Sequence, residues 1–373
     1  MKNAIDRIDL IKPRLAGKRV GLLTNYTGLN LRLKSTVDII REIADLRVIL
    51  SPEHGLYGVA QANEKVADST YRDTGIPIIS VFDKDDERPD WVDRMDILVY
   101  DIQDIGVRFF TYIYALSDTM ILCQKHGIPV LVLDRYNPLG LRKTEGTMLE
   151  RPFSSIVGRY PIPSRYALTV GEIARYFNTE EKIGCDLSVI PCEGLTRDMD
   201  HTDCGVPWVI PSPNCPTTDT VLCYIGTVLF EGTNLSEGRG TTKPFEVFGA
   251  PYLQAEKLAK QLNDLHLPGV LFRYHPFVPT FSKYEGEVCQ GVMLHILDKN
   301  TFSAFEACIR IIDLIRNTYR EFDFRYYDGW GYAMDKLLGT DAFRQDGFDP
   351  DTFIEEQKAK VAAFDASKYY LYE

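Results

Sequence analysis

The stretch RVGLLTNYTGLNLRLKSTVDIIREIADLRVILSPEHG, residues 19–55, alternates two short apolar runs with one amphipathic segment. The runs RVGLLT (19–24) and LRVILS (46–51) have the length and composition of buried strands. Between them, TVDIIREIADL (36–46) places its apolar side chains at helical spacing. A strand, a helix and a second strand in this order form the unit from which parallel sheets are built. This stretch therefore predicts an α/β fold.

The same alternation continues to about residue 140, and we assign residues 1–140 to a first domain. Further elements are predicted as strands at IPIISVF (76–82), MDILVYD (95–101) and IPVLVLD (128–134), and as a helix at TYIYALSDTMILCQKH (111–126). Alternating strands and helices imply one mostly parallel sheet that helices cover on both faces.

The composition changes at residues 137–140, and we assign residues 141–373 to a second domain of the α+β class. Its first part, 151–250, is rich in Pro, Gly, Thr and Asn and contains one clear helix, TVGEIARYF (169–177), which a capping box opens. Later elements are predicted as helices near 254–265, 302–320 and 351–363, and as strands near 269–274 and 287–297.

Composition and charge argue against several function classes. The hydrophobic content of 45% with 25% charged residues is that of an ordinary globular protein, and the net charge of −11 argues against a nucleic-acid partner. No apolar run approaches the ~20 residues that a membrane span requires. The first twenty residues carry charges where a signal peptide needs an apolar stretch. The sequence as it stands predicts a cytoplasmic protein, or a periplasmic or secreted one if it is a trimmed mature form.

Cysteine and histidine spacing gives no metal signature. The eight cysteines form no CxxC pair, and the six histidines form no HExxH motif. Cys192, Cys204, Cys215 and Cys223 lie closer together, so a disulfide or a metal site there is the less favoured alternative to buried free thiols. We therefore expect no metal and no cofactor.

Polar side chains follow four of the predicted strands. They are Thr24, Asn25 and Thr27 after the first, Ser51 to Gly55 after the second, Asp101, Gln103 and Asp104 after the fourth, and Asp134 and Arg135 after the fifth. In open parallel sheets, ligands bind beyond the carboxyl ends of the strands. Four such ends at one edge of a sheet predict a lined pocket.

Glu53 is the leading catalytic candidate at this edge. It lies beside His54, between a proline and a glycine, which predicts a tight turn. Partial burial would raise its pKa and keep it protonated, as a general acid requires. The alternative is a loop carboxylate that forms a salt bridge or caps a helix.

The residues after the fourth strand allow more than one interpretation. Asp101, Gln103 and Asp104 are candidates for hydrogen bonds to substrate hydroxyls, and the two acids are alternatively candidates for Mg²⁺ ligands, a helix cap or a loop contact. Arg108 either binds a substrate carboxylate in a two-pronged contact or pairs with Asp101 or Asp104.

The segment FEGTNLSEGRGTT, residues 230–242, combines three glycines, two acids and one arginine. Glycines let the backbone bend sharply and approach a ligand closely. The segment matches neither GxxxxGK[ST] nor GxGxxG, so nucleotide binding is unsupported. The alternative is a glycine-rich turn between domains, whose acids cap helices.

Long motifs along the chain resemble one family. They are SPEHG (51–55), DIQDIGVRFFTY (101–112), LDRYNPLG (133–140), YPIPSRYALTVGE (160–172), PSPNCPT (211–217), FEGTNLSEGRGTTKPFE (230–246) and FSKYEGEVCQGV (281–292). In this order they closely resemble the NamZ-type exo-β-N-acetylmuramidases, formerly a bacterial family of unknown function. The resemblance extends from about residue 18 to the end of the sequence.

The resemblance implies a Rossmann-like, mostly parallel first domain, a second, smaller α+β domain, and an active site in the cleft between them. It also implies hydrolysis of the β-1,4 bond after a terminal N-acetylmuramic acid of peptidoglycan, with Glu53 as the leading catalytic residue. Candidates for the second carboxylate are Glu237 by preference, then Glu231 and Glu145. Further substrate-binding candidates are Asn25, His54, Asp101, Gln103, Asp104, Arg108, Arg135, Glu145, Asn214, Asn234 and Arg239.

The mechanism and the rival functions remain open at this point. Arg108, Arg135 and Arg239 are the candidates for gripping the lactyl carboxylate that distinguishes muramic acid from glucosamine. Retention, inversion and attack by the substrate's own acetamido group are all compatible with the sequence. The rival functions are a non-catalytic glycan-binding protein and a metal-dependent hydrolase that uses Asp101 and Asp104. The sequence predicts no particular oligomeric state.

Overall fold

The structure is a computed structural model that describes residues 1–61, 64–82 and 89–373. Its strands are, in chain order, β1 Arg19–Thr24, β2 Asp45–Ser51, β3 Ser69–Thr70, β4 Pro77–Ser80, β5 Ile97–Asp101, β6 Val130–Leu133, β7 Glu145–Met148, β8 Pro163–Arg165, β9 Leu187–Ile190, β10 Val247–Ala250, β11 Val270–Tyr274, β12 Gln290–Ile296, β13 Tyr326–Tyr327 and β14 Gly331–Tyr332. Its α-helices are α1 Ile8–Leu15, α2 Thr36–Ile43, α3 Tyr112–Lys125, α4 Val170–Glu180, α5 His201–Cys204, α6 Thr218–Thr227, α7 Ala255–Asp264, α8 Ala304–Thr318, α9 Ala333–Leu338 and α10 Pro350–Ala362.

The large sheet confirms the predicted α/β class. Within the described residues it has seven strands in the order β3-β4-β2-β1-β5-β6-β9. All neighbouring pairs are parallel except β3 with β4. Because β9 belongs to this sheet, the sheet extends past residue 140, where the sequence analysis placed the domain boundary.

Both faces of the large sheet are buried, because side chains alternate along each strand and helices lie on both sides. One face shares an apolar cluster with α2 and contributes Leu22, Ile49, Val99 and Leu131. The other face shares a cluster with α3 and contributes Leu23, Leu50, Tyr100 and Val132. This two-sided burial explains why the central strands are almost continuously apolar in sequence.

The second sheet is smaller and antiparallel, with the order β10-β12-β11. The helix α6 lies near it and was missed, since the sequence analysis found one clear helix in residues 151–250. All of its residues from Thr220 to Thr227 are buried, so the segment shows no polar face from which to recognise a helix. Gly226 lets α6 approach α8 closely, because a Cβ there would lie 2.0 Å from the Ala304 carbonyl oxygen.

The eight cysteines are free and buried, including the four that lie closer together in sequence. In the part of the chain that the structure describes, no helix is long and apolar enough to cross a membrane.

The carboxyl-terminal segment packs against the large sheet. The Tyr372 hydroxyl donates to Asp134 Oδ2 at 2.5 Å, directly after β6, and accepts from the Cys192 N–H at 2.8 Å. The Leu371 N–H donates to Glu172 Oε1 at 2.8 Å. These contacts tie residues from the end of the chain to the carboxyl edge of the first sheet.

Burial raises the pKa of Asp134 to about 7, although hydrogen bonds from Tyr372, Gly171 and Thr169 oppose that shift. The ordinary value is 3.8, so the stability that the neutral carboxyl contributes is fully present below about pH 4 and is lost as the pH rises through 7. Asp134→Asn does not titrate. We expect the stability of the wild type relative to Asp134→Asn to fall by about 2–3 kcal/mol from pH 5 to pH 8. Denaturant unfolding of both proteins across this range measures it, and parallel pH profiles would contradict it.

Candidate active site

The carboxyl ends of β2, β1, β5 and β6 lie side by side, because these strands are adjacent and parallel. The polar residues that follow them therefore meet at one edge of the sheet, as the sequence predicts. Several of them contact the protein itself: Asp101 pairs with Arg135, and Gln103 donates to backbone carbonyls.

Asp101 and Arg135 form a buried ion pair at this edge. The Arg135 Nε donates to Asp101 Oδ1 at 2.6 Å, and its Nη2 donates to Asp101 Oδ2 at 2.9 Å and to the Leu29 carbonyl at 2.9 Å. Arg135 and Gln103 line a cavity of about 30 Å³, which has room for water but not for a sugar ring. The structure thus gives this pair the role of joining two strand ends.

The loop after β5 is held by Asp104 and Gln103. Asp104 is buried. Its Oδ2 accepts one hydrogen bond from the Tyr166 hydroxyl and another, at 2.7 Å, from the Gly106 N–H. Burial raises the pKa of this carboxyl to about 6. Gln103 Nε2 donates to the carbonyls of Asp104 and Tyr136, each at 2.8 Å.

The Mg²⁺ alternative for these acids receives no support. Asp101 is neutralised by a guanidinium, and Asp104 is directed at a tyrosine hydroxyl and a backbone N–H. Among residues 1–61, 64–82 and 89–373, no group of three His, Cys, Asp or Glu side chains could hold a metal ion.

Arg108 fits neither of its two alternatives. Its side chain is fully buried and donates to four backbone carbonyls, those of Thr147 at 2.6 Å, Ile162 at 3.0 Å, Leu337 at 2.8 Å and Leu338 at 3.1 Å. It therefore joins the loop after β5 to β7 and to α9. Because the side chain is fully buried, a substrate carboxylate cannot reach it, and among the described residues no aspartate forms an ion pair with it.

Glu53 lies on the turn that follows β2. His54 and Gly55 have positive φ angles of 70° and 74°, which produces the sharp bend that the sequence predicts. His54 Nδ1 lies 2.8 Å from the Ala60 carbonyl oxygen, which holds the turn. The Glu53 side chain is 8% exposed, and the Thr111 hydroxyl, at the start of α3, donates to its Oε2 at 2.6 Å.

A buried tyrosine connects Glu53 to the glycine-rich segment. Burial holds the pKa of Tyr224 well above its ordinary value. The carboxylate of Glu231 adds to this shift and Arg239 opposes it, while Cys215 and Glu53 make smaller contributions that also raise the pKa. Both carboxylates thus act on the same buried phenol.

A cavity of about 300 Å³ lies beside Glu231. The charged residues along it are Glu231, Glu237, Arg239, Lys283 and Arg325, and the turn region after β2 contributes Gln61. Asn214 Nδ2 donates to Gln61 Oε1 at 3.3 Å, so Asn214 lies at the edge of the same cavity. The volume is in the range of small-molecule binding sites.

Ion pairs order the acids of this cavity. Lys283 Nζ lies 2.9 Å from Glu237 Oε2, and Arg239 Nε lies 3.4 Å from Glu237 Oε1. Burial alone would raise the pKa of Glu237, but the charges of Lys283 and Arg239 outweigh it and hold the pKa below its usual value. Glu237 is therefore an anion with a cation at each oxygen.

Glu231 is the more accessible of the two acids. It receives hydrogen bonds from Arg239 through its Oε1, at 2.8 Å and 3.3 Å, and its side chain is 29% exposed compared with 3% for Glu237. Glu231 is therefore the acid that a substrate reaches more readily, although Arg239 holds its Oε1.

Two family models cover the chain, those of the N-terminal and C-terminal parts of the exo-beta-N-acetylmuramidase NamZ, at residues 20–219 and 222–372. The chain belongs to the NamZ family. It is 42% identical over 369 residues to the peptidoglycan beta-N-acetylmuramidase NamZ of Bacillus subtilis (strain 168), which covers 97% of this chain and 88% of that relative. The family resemblance seen in the sequence is thereby confirmed.

Two crystal structures of DUF1343 family proteins from Bacteroides fragilis NCTC 9343 resemble this NamZ-family chain. One has a TM-score of 0.88 at 34% identity, and the other has a TM-score of 0.78 at 28% identity. Each match covers 100% of this chain and 99% of the other. The likeness confirms the fold over the whole length.

Three further candidates of the NamZ-family chain lie outside the cavity. Glu145 Oε1 accepts from the Ser303 hydroxyl and the Phe305 N–H, so it caps the start of α8. Asn234 contacts the backbone around residues 321–323. Asn25 Oδ1 accepts from the N–H and hydroxyl of Thr27 within its own turn.

Four residues of this NamZ-family chain that lie near the candidate acids were not named from the sequence, namely Thr111, Tyr224, Lys283 and Arg325. Thr111 and Lys283 lie inside two of the motifs that carry the family resemblance. Considering every polar residue of those motifs would have found both. Tyr224 lies in the missed helix α6, and Arg325 lies in an irregular loop with no local sequence signal.

Proposed function

We propose that the chain is an exo-acting glycoside hydrolase that releases N-acetylmuramic acid from the non-reducing end of peptidoglycan fragments. The observation that carries this proposal is the position of Glu53, a nearly buried carboxyl that follows a strand end and accepts a hydrogen bond from the Thr111 hydroxyl. Membership of the NamZ family and the name of the Bacillus subtilis relative supply the substrate class.

In the proposed mechanism, Glu53 donates a proton to the leaving glycosidic oxygen. The hydrogen bond from Thr111 fixes the carboxyl, which is nearly buried. A glycosidase also needs a second group that stabilises the oxocarbenium-like transition state or activates water. Glu231 replaces Glu237 as the preferred second carboxylate, because Glu237 is buried with a cation at each oxygen, whereas Glu231 is 29% exposed and pairs only with Arg239 among the described residues.

The test is a product assay on a chromogenic N-acetylmuramic acid glycoside and on defined peptidoglycan fragments. We expect release of single N-acetylmuramic acid units from non-reducing ends, with no effect of added chelator, because the acids of the cavity already pair with Lys283 and Arg239. Cleavage within the glycan, or loss of activity with chelator, would contradict the proposal. Binding without any product would favour the non-catalytic alternative.

A further inference from the structure

Three cations line the cavity, and two of them are matched by the two acids. Arg239 pairs with Glu231 at 2.8 Å, and Lys283 pairs with Glu237 at 2.9 Å. Arg325 is the third, and in the described part of the chain no carboxylate lies within ion-pair distance of it. The cavity therefore carries one uncompensated positive charge, in a protein whose net charge is −11.

The charge of Arg325 acts on the inside of the cavity. The pKa of Lys283 is lowered mainly by burial, and the charge of Arg325 acts in the same direction. Repulsion between the like charges of Arg325 and Lys283 raises the free energy of the empty cavity, and an anionic ligand would relieve it. The Arg325 side chain is exposed, so its guanidinium is available to such a ligand.

The backbone of Arg325 is fixed although its side chain is exposed. Its N–H donates to the Gly232 carbonyl at 2.9 Å, and its carbonyl accepts from the Ala333 N–H at 3.0 Å. The Arg325 Nη1 also donates to the Tyr327 hydroxyl at 3.2 Å. Arg325 is thereby held beside Glu231, with a tyrosine to orient its guanidinium.

The other arginines named from the sequence already have protein partners. Arg108 donates to backbone carbonyls, Arg135 pairs with Asp101, and Arg239 bridges Glu231 and Glu237. A guanidinium with free N–H groups binds a carboxylate through two parallel hydrogen bonds, which a hydroxyl or an amide cannot match.

We infer that Arg325 binds a carboxylate of the terminal sugar, the lactyl carboxylate of N-acetylmuramic acid, and so determines substrate specificity. The inference rests on the proposed function. It predicts a preference for sugars whose lactyl group is a free acid, because converting that acid to an amide removes the negative charge that the guanidinium recognises.

The experiment compares Arg325→Ala, Arg325→Lys and the matched control Arg320→Ala, which removes an exposed arginine that does not line the cavity. The substrates are a chromogenic N-acetylmuramic acid glycoside, its lactyl methylamide and the same sugar carrying a peptide with a free carboxylate. We expect Arg325→Ala to raise KM for the free acid about 10- to 100-fold with a smaller change in kcat, and Arg325→Lys to lose less. Arg320→Ala should match the wild type.

The neutral methylamide distinguishes loss of carboxylate binding from a structural defect in the Arg325→Ala variant. We expect wild type and Arg325→Ala to handle it equally, whereas an equal loss on the acid and the amide would overturn the inference. A loss confined to the peptide-bearing substrate would also overturn it, because it would assign Arg325 to a peptide carboxylate. An unchanged KM for the free acid is the third contrary result.

If the proposed function itself is wrong, the wild type will release no product from any of these substrates. In that event, calorimetric titration with free N-acetylmuramic acid and N-acetylglucosamine decides the inference. Tighter binding of the acid by the wild type, lost in Arg325→Ala and retained in Arg320→Ala, would support it, and equal binding of both sugars by the wild type would overturn it.

Discussion

Glu53→Gln is expected to lower kcat on a chromogenic N-acetylmuramic acid glycoside by about 10²- to 10⁴-fold, the usual contribution of a general acid. Glutamine has nearly the same shape and keeps an oxygen that can accept the hydrogen bond from Thr111, but it has no proton to donate at that position. The melting temperature should change little. A wild-type rate in this variant would remove Glu53 from the mechanism.

Two comparisons show whether Glu53 acts as an acid. On a glycoside whose leaving group departs without protonation, the loss in Glu53→Gln should be much smaller, because acid assistance is no longer required. Thr111→Val removes the hydrogen bond to Glu53 and keeps the carboxyl, so it should cost less than Glu53→Gln on the ordinary substrate. Equal losses on both leaving groups would instead indicate that Glu53 binds substrate.

Arg108→Met is expected to destabilise the protein by about 3–5 kcal/mol, the usual cost of breaking a buried charged network. The substitution leaves buried carbonyls of β7 and α9 without donors, and each unsatisfied group carries its own penalty. Burial lowers the pKa of Arg108 to about 10, so the guanidinium stays charged at neutral pH and its hydrogen bonds are charge-assisted. Denaturant unfolding measures the change.

Arg142→Ala is the matched control, because Arg142 forms an exposed ion pair with Asp198 at 2.7 Å. Ion pairs between exposed side chains contribute little to stability, because water and salt screen their charges. If Arg108→Met shifts the unfolding transition no more than Arg142→Ala does, the carbonyl contacts of Arg108 do not stabilise the fold.

The fold was largely predictable because its signals are local. The strand predicted near 269–274 is Val270–Tyr274, and the helix predicted at 302–320 is Ala304–Thr318. Each carries a periodic pattern or a capping residue within its own segment. The strand Leu187–Ile190 and the helix α6 were not predicted from the sequence. The strand is defined by its pairing with β6, and α6 is buried on every side from Thr220 to Thr227, so neither shows a clear local periodicity.

The site was less predictable, because ion pairs and hydrogen bonds between distant residues decide which polar side chains remain available to a substrate. The strand-end rule indicated both Glu53 and Arg135, but it does not reveal that Arg135 meets Asp101, 34 residues away in sequence. In the same way, Glu237 and Glu231 look equivalent in the glycine-rich segment. Only the position of Lys283, from a distant loop, makes one of them a buried ion-pair partner.

The hydrogen bond between Tyr372 and Asp134 joins residues that lie 238 positions apart in sequence. During synthesis, the chain emerges from its amino-terminal end, and early domains generally fold first. Here the carboxyl edge of the first sheet cannot be completed until residue 372 has left the ribosome. Until the second sheet has been translated, Asp134 in the nascent first domain therefore lacks its hydrogen bond from Tyr372, and its carboxyl still faces water.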